Sequence, residues 1–99
     1  MAFRVEKDSM GNMDVPSDAY FGASTMRSLS NFVISDKTWY PSLISAIGQL
    51  KLACCKANRS LGLLDAKKGS AVEKACKEVI DGTLKDHFPL DVFQAGSGT

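Results

Sequence analysis

Two stretches of this 99-residue chain are bounded by residues that start and stop helices, and they constrain the fold most. Pro41 is favoured in a first helical turn, and Gly62 and Gly82 are typical of the position just beyond a helix. After Pro41, apolar residues recur at alternating spacings of four and three, which is the pattern of one helix face: Leu43, Ile47, Leu50, Cys54, Ala57 and Leu61. A second amphipathic stretch, Ala66 to Asp81, follows the short Gly62–Asp65 link. The pattern predicts an antiparallel helical hairpin.

The pattern does not decide which of two neighbouring residues faces the core at each turn of the second helix. It is formed by one or both members of three pairs: Ala71 or Val72, Ala75 or Cys76, and Val79 or Ile80. Further apolar residues flank the hairpin, more than it can bury alone: Leu63, Leu64, Phe88, Leu90, Val92 and Phe93. We therefore expect the helical faces to need neighbours, and an isolated chain to self-associate or fold loosely.

The first forty residues predict a smaller, mixed element. Residues Phe3 to Val15 read as a short β-hairpin with its turn at Gly11-Asn12, ended by Pro16, which cannot donate to a strand ladder. Ala19 to Phe32 is predicted as a short helix, and residues 33–40 as a connector. The predicted fold class is mainly α, with a short N-terminal β-hairpin followed by the helical hairpin.

Composition excludes several classes of function. The chain has 12 basic and 11 acidic residues, so nothing favours a nucleic acid or a membrane surface as a partner. The most apolar stretch, Leu43 to Cys55, is too short and too polar to span a bilayer. Three cysteines without a CxxC spacing predict reduced thiols rather than a metal site, with Cys54 and Cys76 as small core residues.

One run of residues has the chemistry of an anion site. In Gly96-Ser97-Gly98-Thr99, two glycines permit close backbone approach, and two hydroxyls with nearby N–H groups can donate to a carboxylate or phosphate. Taken alone, the run is better interpreted as a flexible C-terminal end. His87 is interpreted as a loop histidine with a structural hydrogen bond, not as an acid–base catalyst. Asp8, Asp14 and Asp18 are spaced irregularly, so no metal site is predicted.

Several short blocks in fixed order resemble the N-terminal part of the fumarase/aspartase superfamily, over about residues 3–99. They are Arg4-Val5-Glu6-Lys7-Asp8-Ser9-Met10-Gly11, Val15-Pro16, Ala19-Tyr20-Phe21-Gly22-Ala23, Arg27-Ser28-Leu29, Leu61-Gly62-Leu63-Leu64-Asp65, Asp86-His87-Phe88-Pro89-Leu90 and Phe93-Gln94 with Gly96-Ser97-Gly98-Thr99. The first block and Ser97 resemble class II fumarate hydratases in particular. The chain is thus expected to be one N-terminal lyase domain, residues 1–99, truncated within the first substrate loop.

The resemblance implies a reaction and a site. Class II fumarases interconvert fumarate and L-malate by adding water, form homotetramers and use no cofactor. Gly96, Ser97, Gly98 and Thr99 would then bind a carboxylate of the dicarboxylate substrate, and their donors would stabilise a dianionic intermediate. The family's catalytic base is a serine much later in the chain, so no catalytic residue is expected here and the 99 residues alone are expected to be inactive.

Alternatives remain open at this point. An aspartate ammonia-lyase of the same superfamily, or a non-catalytic helical module that binds a partner, would carry much of the same pattern. Ala95 and Ser24 stand where class II fumarases usually have threonine and glutamine, which bears on substrate preference. Without a visible targeting segment, the cytoplasm is expected, with the mitochondrial matrix as the alternative.

Overall fold

The computed structural model describes residues 1–95. The elements are β1 (Phe3–Asp8), β2 (Gly11–Pro16), α1 (Ala23–Asn31), α2 (Pro41–Ser60), α3 (Ala66–Ile80) and a 3-10 turn at Lys85–His87. This confirms the predicted class, mainly helical with an N-terminal β-hairpin and a helical hairpin. The described residues divide into two compact units: Tyr40–Lys85 forms one, and residues 1–39 form the other with residues 86–95.

The β-hairpin turns two residues earlier than predicted. Asp8 pairs with Gly11 in an antiparallel register, so Ser9 and Met10 form the turn and the predicted turn at Gly11-Asn12 was wrong. The Asp8 carboxylate accepts the main-chain N–H of Met10 at 2.9 Å, which is the local bond of an Asx-turn. Gly11 still has a special role, because it begins β2 with a φ of 114°, a conformation that side chains disfavour.

A charged clamp joins this turn to α1. The guanidinium of Arg27 donates to both oxygens of Asp8, from Nε at 3.0 Å and from Nη2 at 2.8 Å. Nη2 also donates to the carbonyl of Gly11 at 3.3 Å. The Arg27 hydrogen bonds are the main reason that the pKa of Asp8 lies below its usual value, and Asp8 in turn raises the pKa of Arg27.

Helix α1 begins later than predicted. The sequence suggested a start at Ala19, whereas the helix begins at Ala23 with Gly22 as its N-cap. The carbonyls of Ala19 and Phe21 accept hydrogen bonds from the Arg4 side chain at 2.8 Å each, and Arg4 thereby holds this stretch in an extended loop. A long-range arginine contact has overridden a local helical pattern.

The β-hairpin packs through one face. Along β1, Arg4, Glu6 and Asp8 are partly buried, whereas the alternating Phe3, Val5 and Lys7 are exposed. Across from Arg4, Val15 of β2 has none of its surface exposed, and it forms the centre of this small core. The two-residue periodicity of the strands therefore decides which side chains can reach α1 and the loop that precedes it.

The second unit is the predicted helical hairpin. Helix α2 begins at Pro41, and the Asp65 carboxylate caps α3 by accepting the N–H of Lys68 at 2.8 Å. Gly62 and Gly82 follow the two helices with φ values of 72° and 84°, and each lies in the paired hydrogen bonds of a Schellman motif. These termini confirm the predicted boundaries. None of the helices within residues 1–95 is long and apolar enough to cross a membrane.

The face of α2 that packs against α3 is not the predicted apolar seam. Leu50 and Leu61 of that seam are 61% and 71% exposed. The packed face carries small and polar residues instead. Ser45 donates its hydroxyl to the carbonyl of Ile80 at 3.1 Å, and Gly48 lies directly against Val79 and Ile80. Small residues are favoured at this interface because they let the two helix backbones approach closely.

The burial of the two cysteines of α2 agrees with this choice of packed face. Cys54 belongs to the exposed seam, so its predicted core position was wrong. Its neighbour Cys55 is buried, and its thiol donates to the carbonyl of Gly69 at 3.4 Å. Cys76 is buried as predicted, and burial raises the pKa of its thiol. On α3 the structure therefore selects Cys76 for the packed face, while Val72 is 41% exposed.

Candidate functional site

The predicted anion-binding residues Gly96, Ser97, Gly98 and Thr99 lie outside the described residues. The structure does describe the ten residues before them, 86–95, and the contacts that hold this segment. We call residues 86–95 the approach segment. Its geometry decides how firmly the chain is fixed where the candidate loop begins.

One buried carboxylate anchors the approach segment. Asp91, 7% exposed, accepts four hydrogen bonds. Its Oδ2 accepts the main-chain N–H groups of Ile34 at 3.2 Å and Ser35 at 2.5 Å. Its Oδ1 accepts the Ser35 hydroxyl at 3.1 Å and the main-chain N–H of Phe93 at 2.8 Å. Both oxygens are thus used to join the connector after α1 to the approach segment.

The charge of Asp91 is stabilised where it lies. The main-chain N–H of Phe93 is the largest influence that lowers the pKa of this carboxyl, and the N–H and hydroxyl of Ser35 add to it. Burial acts in the opposite direction but does not prevail. Asp91 is therefore an ionised acceptor at neutral pH and not a proton donor.

Main-chain bonds reinforce this anchor. Thr38 and Asp91 form an isolated antiparallel bridge, and the N–H of Val92 donates to the carbonyl of Lys37 at 3.0 Å. The N–H of Gln94 donates to the carbonyl of Asp91 at 3.1 Å, which closes a turn. The approach segment is consequently held through its backbone as well as through one side chain.

A second anchor lies four residues upstream of Asp91. The main-chain N–H of Tyr20 donates to Nδ1 of His87 at 3.1 Å, and the two rings lie 4.6 Å apart between centroids. Nδ1 acts as an acceptor in this bond, so His87 has the structural role that the sequence favoured. These two contacts with Tyr20 position the loop around His87, and catalysis is left to other groups.

Arg4 organises the loop to which His87 binds. Its guanidinium donates to the carbonyls of Pro16, Ser17, Ala19 and Phe21, at 2.8, 3.2, 2.8 and 2.8 Å respectively. Its Nε also donates to Glu6 at 2.7 Å. Arginine suits this position because its planar fork carries five donors in a fixed geometry. Residues on both sides of Tyr20 are thereby fixed.

A shallow groove of about 260 Å³ runs beside the Asp91 anchor. It is lined by Leu29, Phe32, Val33, Ser35, Asp36, Lys37, Thr38, Pro89 and Asp91. Apolar side chains form much of the lining, and Asp91 is already saturated with donors. The groove therefore offers surface for packing and does not assemble an acid–base pair.

The other acidic residues considered from the sequence do not converge. Asp8 is engaged by Arg27, while Asp14 and Asp18 are exposed. Within residues 1–95, no three histidine, cysteine, aspartate or glutamate side chains lie together in a way that could hold a metal ion. The described part of the chain thus supplies positioning rather than reactive groups.

The sequence pattern did not reveal the roles of Asp91 and Arg4. Arg4 belongs to the first of the blocks that resemble the family, and Asp91 lies between two of them. One signal was available for Asp91, because it interrupts the apolar run Leu90 to Phe93, and an acidic residue among apolar ones requires buried partners. Arg4 gave a weaker signal, since an arginine in a strand is common on exposed faces.

Comparison with known proteins places this geometry in a family. The sequence profile of a lyase family matches residues 11–99. A class II fumarate hydratase of Bradyrhizobium diazoefficiens is 54% identical over 98 residues, which are 99% of this chain and 21% of that protein. A mitochondrial fumarate hydratase of Rhizopus oryzae is 52% identical over 99 residues. The chain thus spans about a fifth of the length of the curated relatives it matches.

Solved structures agree with the sequence relatives. A class II fumarase of Schistosoma mansoni superposes with a TM-score of 0.93 at 37% identity, covering 99% of this chain and 21% of that one. A protein of Brucella melitensis described as fumarate lyase:delta crystallin gives a TM-score of 0.91 at 42% identity, covering all of this chain and 24% of that one. With the profile matching most of its length, the chain belongs to this lyase family, and it is similar along almost its whole length to part of a class II fumarate hydratase.

Proposed function

We propose that this chain is the N-terminal lyase domain, residues 1–99, of a fumarate hydratase that interconverts fumarate and L-malate by reversible addition of water. The observation that carries the proposal is the 54% identity, along almost the whole chain, to a relative named as a class II fumarate hydratase. The anchored approach segment supports it, because a loop that binds substrate needs a fixed base.

The candidate loop has a defined role in this proposal. The hydroxyls of Ser97 and Thr99, with neighbouring main-chain N–H groups, bind one carboxylate of the substrate, and Gly96 and Gly98 permit close approach of the backbone. Removal of the proton from the carbon beside a carboxylate of L-malate places a second negative charge on that carboxylate group. Donors that are already in place stabilise the added charge without reorganising at the moment of reaction. The catalytic base is supplied by a later part of the protein.

The assembly and the compartment are part of the same proposal. The active form is a homotetramer, and it resides in the cytoplasm, or in the mitochondrial matrix if the source is a mitochondrial enzyme. The three thiols support a reducing compartment, because Cys54, Cys55 and Cys76 are all free in the structure. Size-exclusion chromatography with light scattering on the intact protein tests the assembly directly.

The test uses the intact protein that carries this segment. The assay measures fumarate hydration as the decrease in ultraviolet absorbance of the fumarate double bond. It compares wild type with Ser97→Ala and Thr99→Val. Removing one donor from such a charge-stabilising set typically costs about 10²–10³-fold in kcat, so a loss on the order of a hundredfold is expected. Ser70→Ala, an exposed position on α3, is the matched control and should retain wild-type rates.

The same preparation separates the alternatives. Deamination of L-aspartate without hydration of fumarate would assign the protein to the ammonia-lyases. If neither reaction occurs, the non-catalytic binding module becomes the better account. Hydration that is insensitive to both loop variants would leave the enzyme in place and overturn the assignment of Ser97 and Thr99.

A further inference from the structure

Asp91 is the one buried charged residue among residues 1–95, and both of its carboxylate oxygens are hydrogen-bonded. From its contacts we infer that Asp91 is a positioning residue for the proposed reaction, and that it fixes the start of the substrate loop through the approach segment. This inference rests on the proposed function. In this inference the carboxylate of Asp91 contacts neither the substrate nor the reacting atoms.

The hydrogen bonds of Asp91 show why it holds rather than reacts. A carboxylate offers about four acceptor sites over its two oxygens. Asp91 fills them with three main-chain N–H groups and one hydroxyl, all within 3.2 Å. With its lone pairs occupied in this way, it has no free position for a substrate proton. Its contribution must pass through the segment that it holds.

Asp91 lies close to the candidate loop along the chain. Gly96 follows five residues later, and a fully extended chain of that length spans at most about 18 Å, at roughly 3.3–3.6 Å per residue. The turns made by Phe93 and Gln94 on Asp91 shorten the path further. Three of the four residues between Asp91 and Gly96 donate their main-chain N–H groups to Asp91 or Lys37, so a shift of the anchor moves most of this stretch with it.

Only a carboxylate satisfies all of these donors. The Oδ2 oxygen accepts two main-chain N–H groups, from Ile34 and Ser35. In Asp91→Asn, an amide NH₂ at the Oδ2 position would face two N–H donors, and at the Oδ1 position it would face the N–H of Phe93, so one or two bonds are lost although the shape is retained. Asp91→Ala removes all four bonds, so the three N–H groups and the Ser35 hydroxyl lose the acceptor that joins them.

Steady-state kinetics of fumarate hydration in the intact protein tests the inference. We expect kcat/KM to fall by about tenfold in Asp91→Asn and by up to about a hundredfold in Asp91→Ala, the size of effect that a misplacement near 1 Å can cause. KM should rise, because a displaced loop binds the substrate carboxylate less firmly, and kcat should fall as well, because the same donors stabilise the charge that develops in the intermediate. Asp86→Asn, an exposed acid of the same segment, should behave as wild type.

The split between KM and kcat separates positioning from stability. A variant that is merely less stable has fewer active molecules, which lowers the apparent kcat and leaves KM unchanged. Ser35→Ala supplies a milder probe. It removes one bond to Asp91, together with the bond that its hydroxyl accepts from the N–H of Lys37, and it keeps all three N–H donors of Asp91 in place. Its effect on KM should be about twofold to threefold in wild type and smaller in the Asp91→Ala background.

The outcomes separate the positioning role of Asp91 from the proposed hydratase function. If wild type hydrates fumarate and KM stays within about twofold in both Asp91 variants, the positioning role is overturned and the proposed function stands. If wild type has no hydratase activity, both fall together. Should Asp91→Ala fail to fold, the milder Asp91→Asn and Ser35→Ala variants decide the question by the same KM criterion.

Discussion

Replacing Gly48 by alanine places a methyl group into the closest approach of α2 and α3. A Cβ built on Gly48 lies 3.0 Å from Cγ1 of Ile80 and 3.1 Å from Cγ1 of Val79. Both neighbours are β-branched and stiff about χ1, so they yield little. Overpacking of this kind typically costs about 1–3 kcal/mol. The alanine also favours the helix by about 1 kcal/mol, so the hairpin should lose about 0–2 kcal/mol of stability.

Gly69 provides a matched control on the facing helix. It is also buried in a helix interior, but its added Cβ would overlap the flexible side chain of Arg59, with Cγ at 2.8 Å and Cδ nearer still. Arg59 can move aside at the loss of its ion pair with Glu73, a partly exposed contact of 2.8 Å worth about 0–1 kcal/mol. The helix-propensity gain of about 1 kcal/mol offsets that loss. Gly69→Ala should therefore be neutral or stabilising by up to about 1 kcal/mol.

Native-state hydrogen exchange of peptides from Tyr40–Lys85 measures this difference as a local opening free energy. The account predicts that Gly48→Ala exchanges faster than Gly69→Ala, by about 1.5 kcal/mol in opening free energy, the middle of the range of about 0–3 kcal/mol that the terms above give. Equal protection in the two variants, or greater protection in Gly48→Ala, would refute the claim that α2 packs through its small-residue face.

Two further predictions concern single hydrogen-bonded carboxylates. The pKa of Asp8 is lowered in the folded protein, chiefly by Arg27, so its stabilisation is present above the unfolded pKa of about 3.9 and is lost as pH falls through the lower folded value. Asp8→Asn should therefore flatten the acid limb of a plot of melting temperature against pH below about 4, whereas the exposed Asp18→Asn should not, and an unchanged acid limb in Asp8→Asn would contradict the clamp. Asp65→Ala should cost about 1 kcal/mol by removing the α3 N-cap. Asp65→Ser should restore most of it, and hydrogen exchange of the first turn of α3 distinguishes the two.

The boundaries of the helical hairpin could be predicted because they depend on local chemistry. Proline at a helix start and glycine in a left-handed C-terminal position are favoured by the backbone itself. Pro41, Gly62 and Gly82 act in this way whatever surrounds them. The corresponding termini in the structure agree with the prediction to within a residue or two.

The packed face of α2 could not be predicted by the same means. Hydrophobic periodicity selects large apolar residues such as Leu50, whereas the interface with α3 uses Ser45, Gly48 and Cys55. Two seams with the same alternating spacing run along this helix. Which of them meets α3 depends on how closely the backbones approach, and spacing along one helix does not encode that distance.

Long-range polar contacts account for the remaining errors. The start of α1 and the position of the β-turn depend on Arg4 and Arg27, which bind carbonyl and carboxylate groups 15 to 19 residues away. Asp91 bonds to residues more than fifty positions earlier in the chain. Local propensity carries no information about such partners, so the anchor of the approach segment became visible only in the folded chain.

The rate of fumarate hydration by the intact purified protein tests the central proposal most directly. The account predicts reversible conversion of fumarate to L-malate, no deamination of L-aspartate, and a loss on the order of a hundredfold in kcat in Ser97→Ala, with Ser70→Ala unaffected. A correctly folded wild-type protein that leaves fumarate unchanged would contradict it.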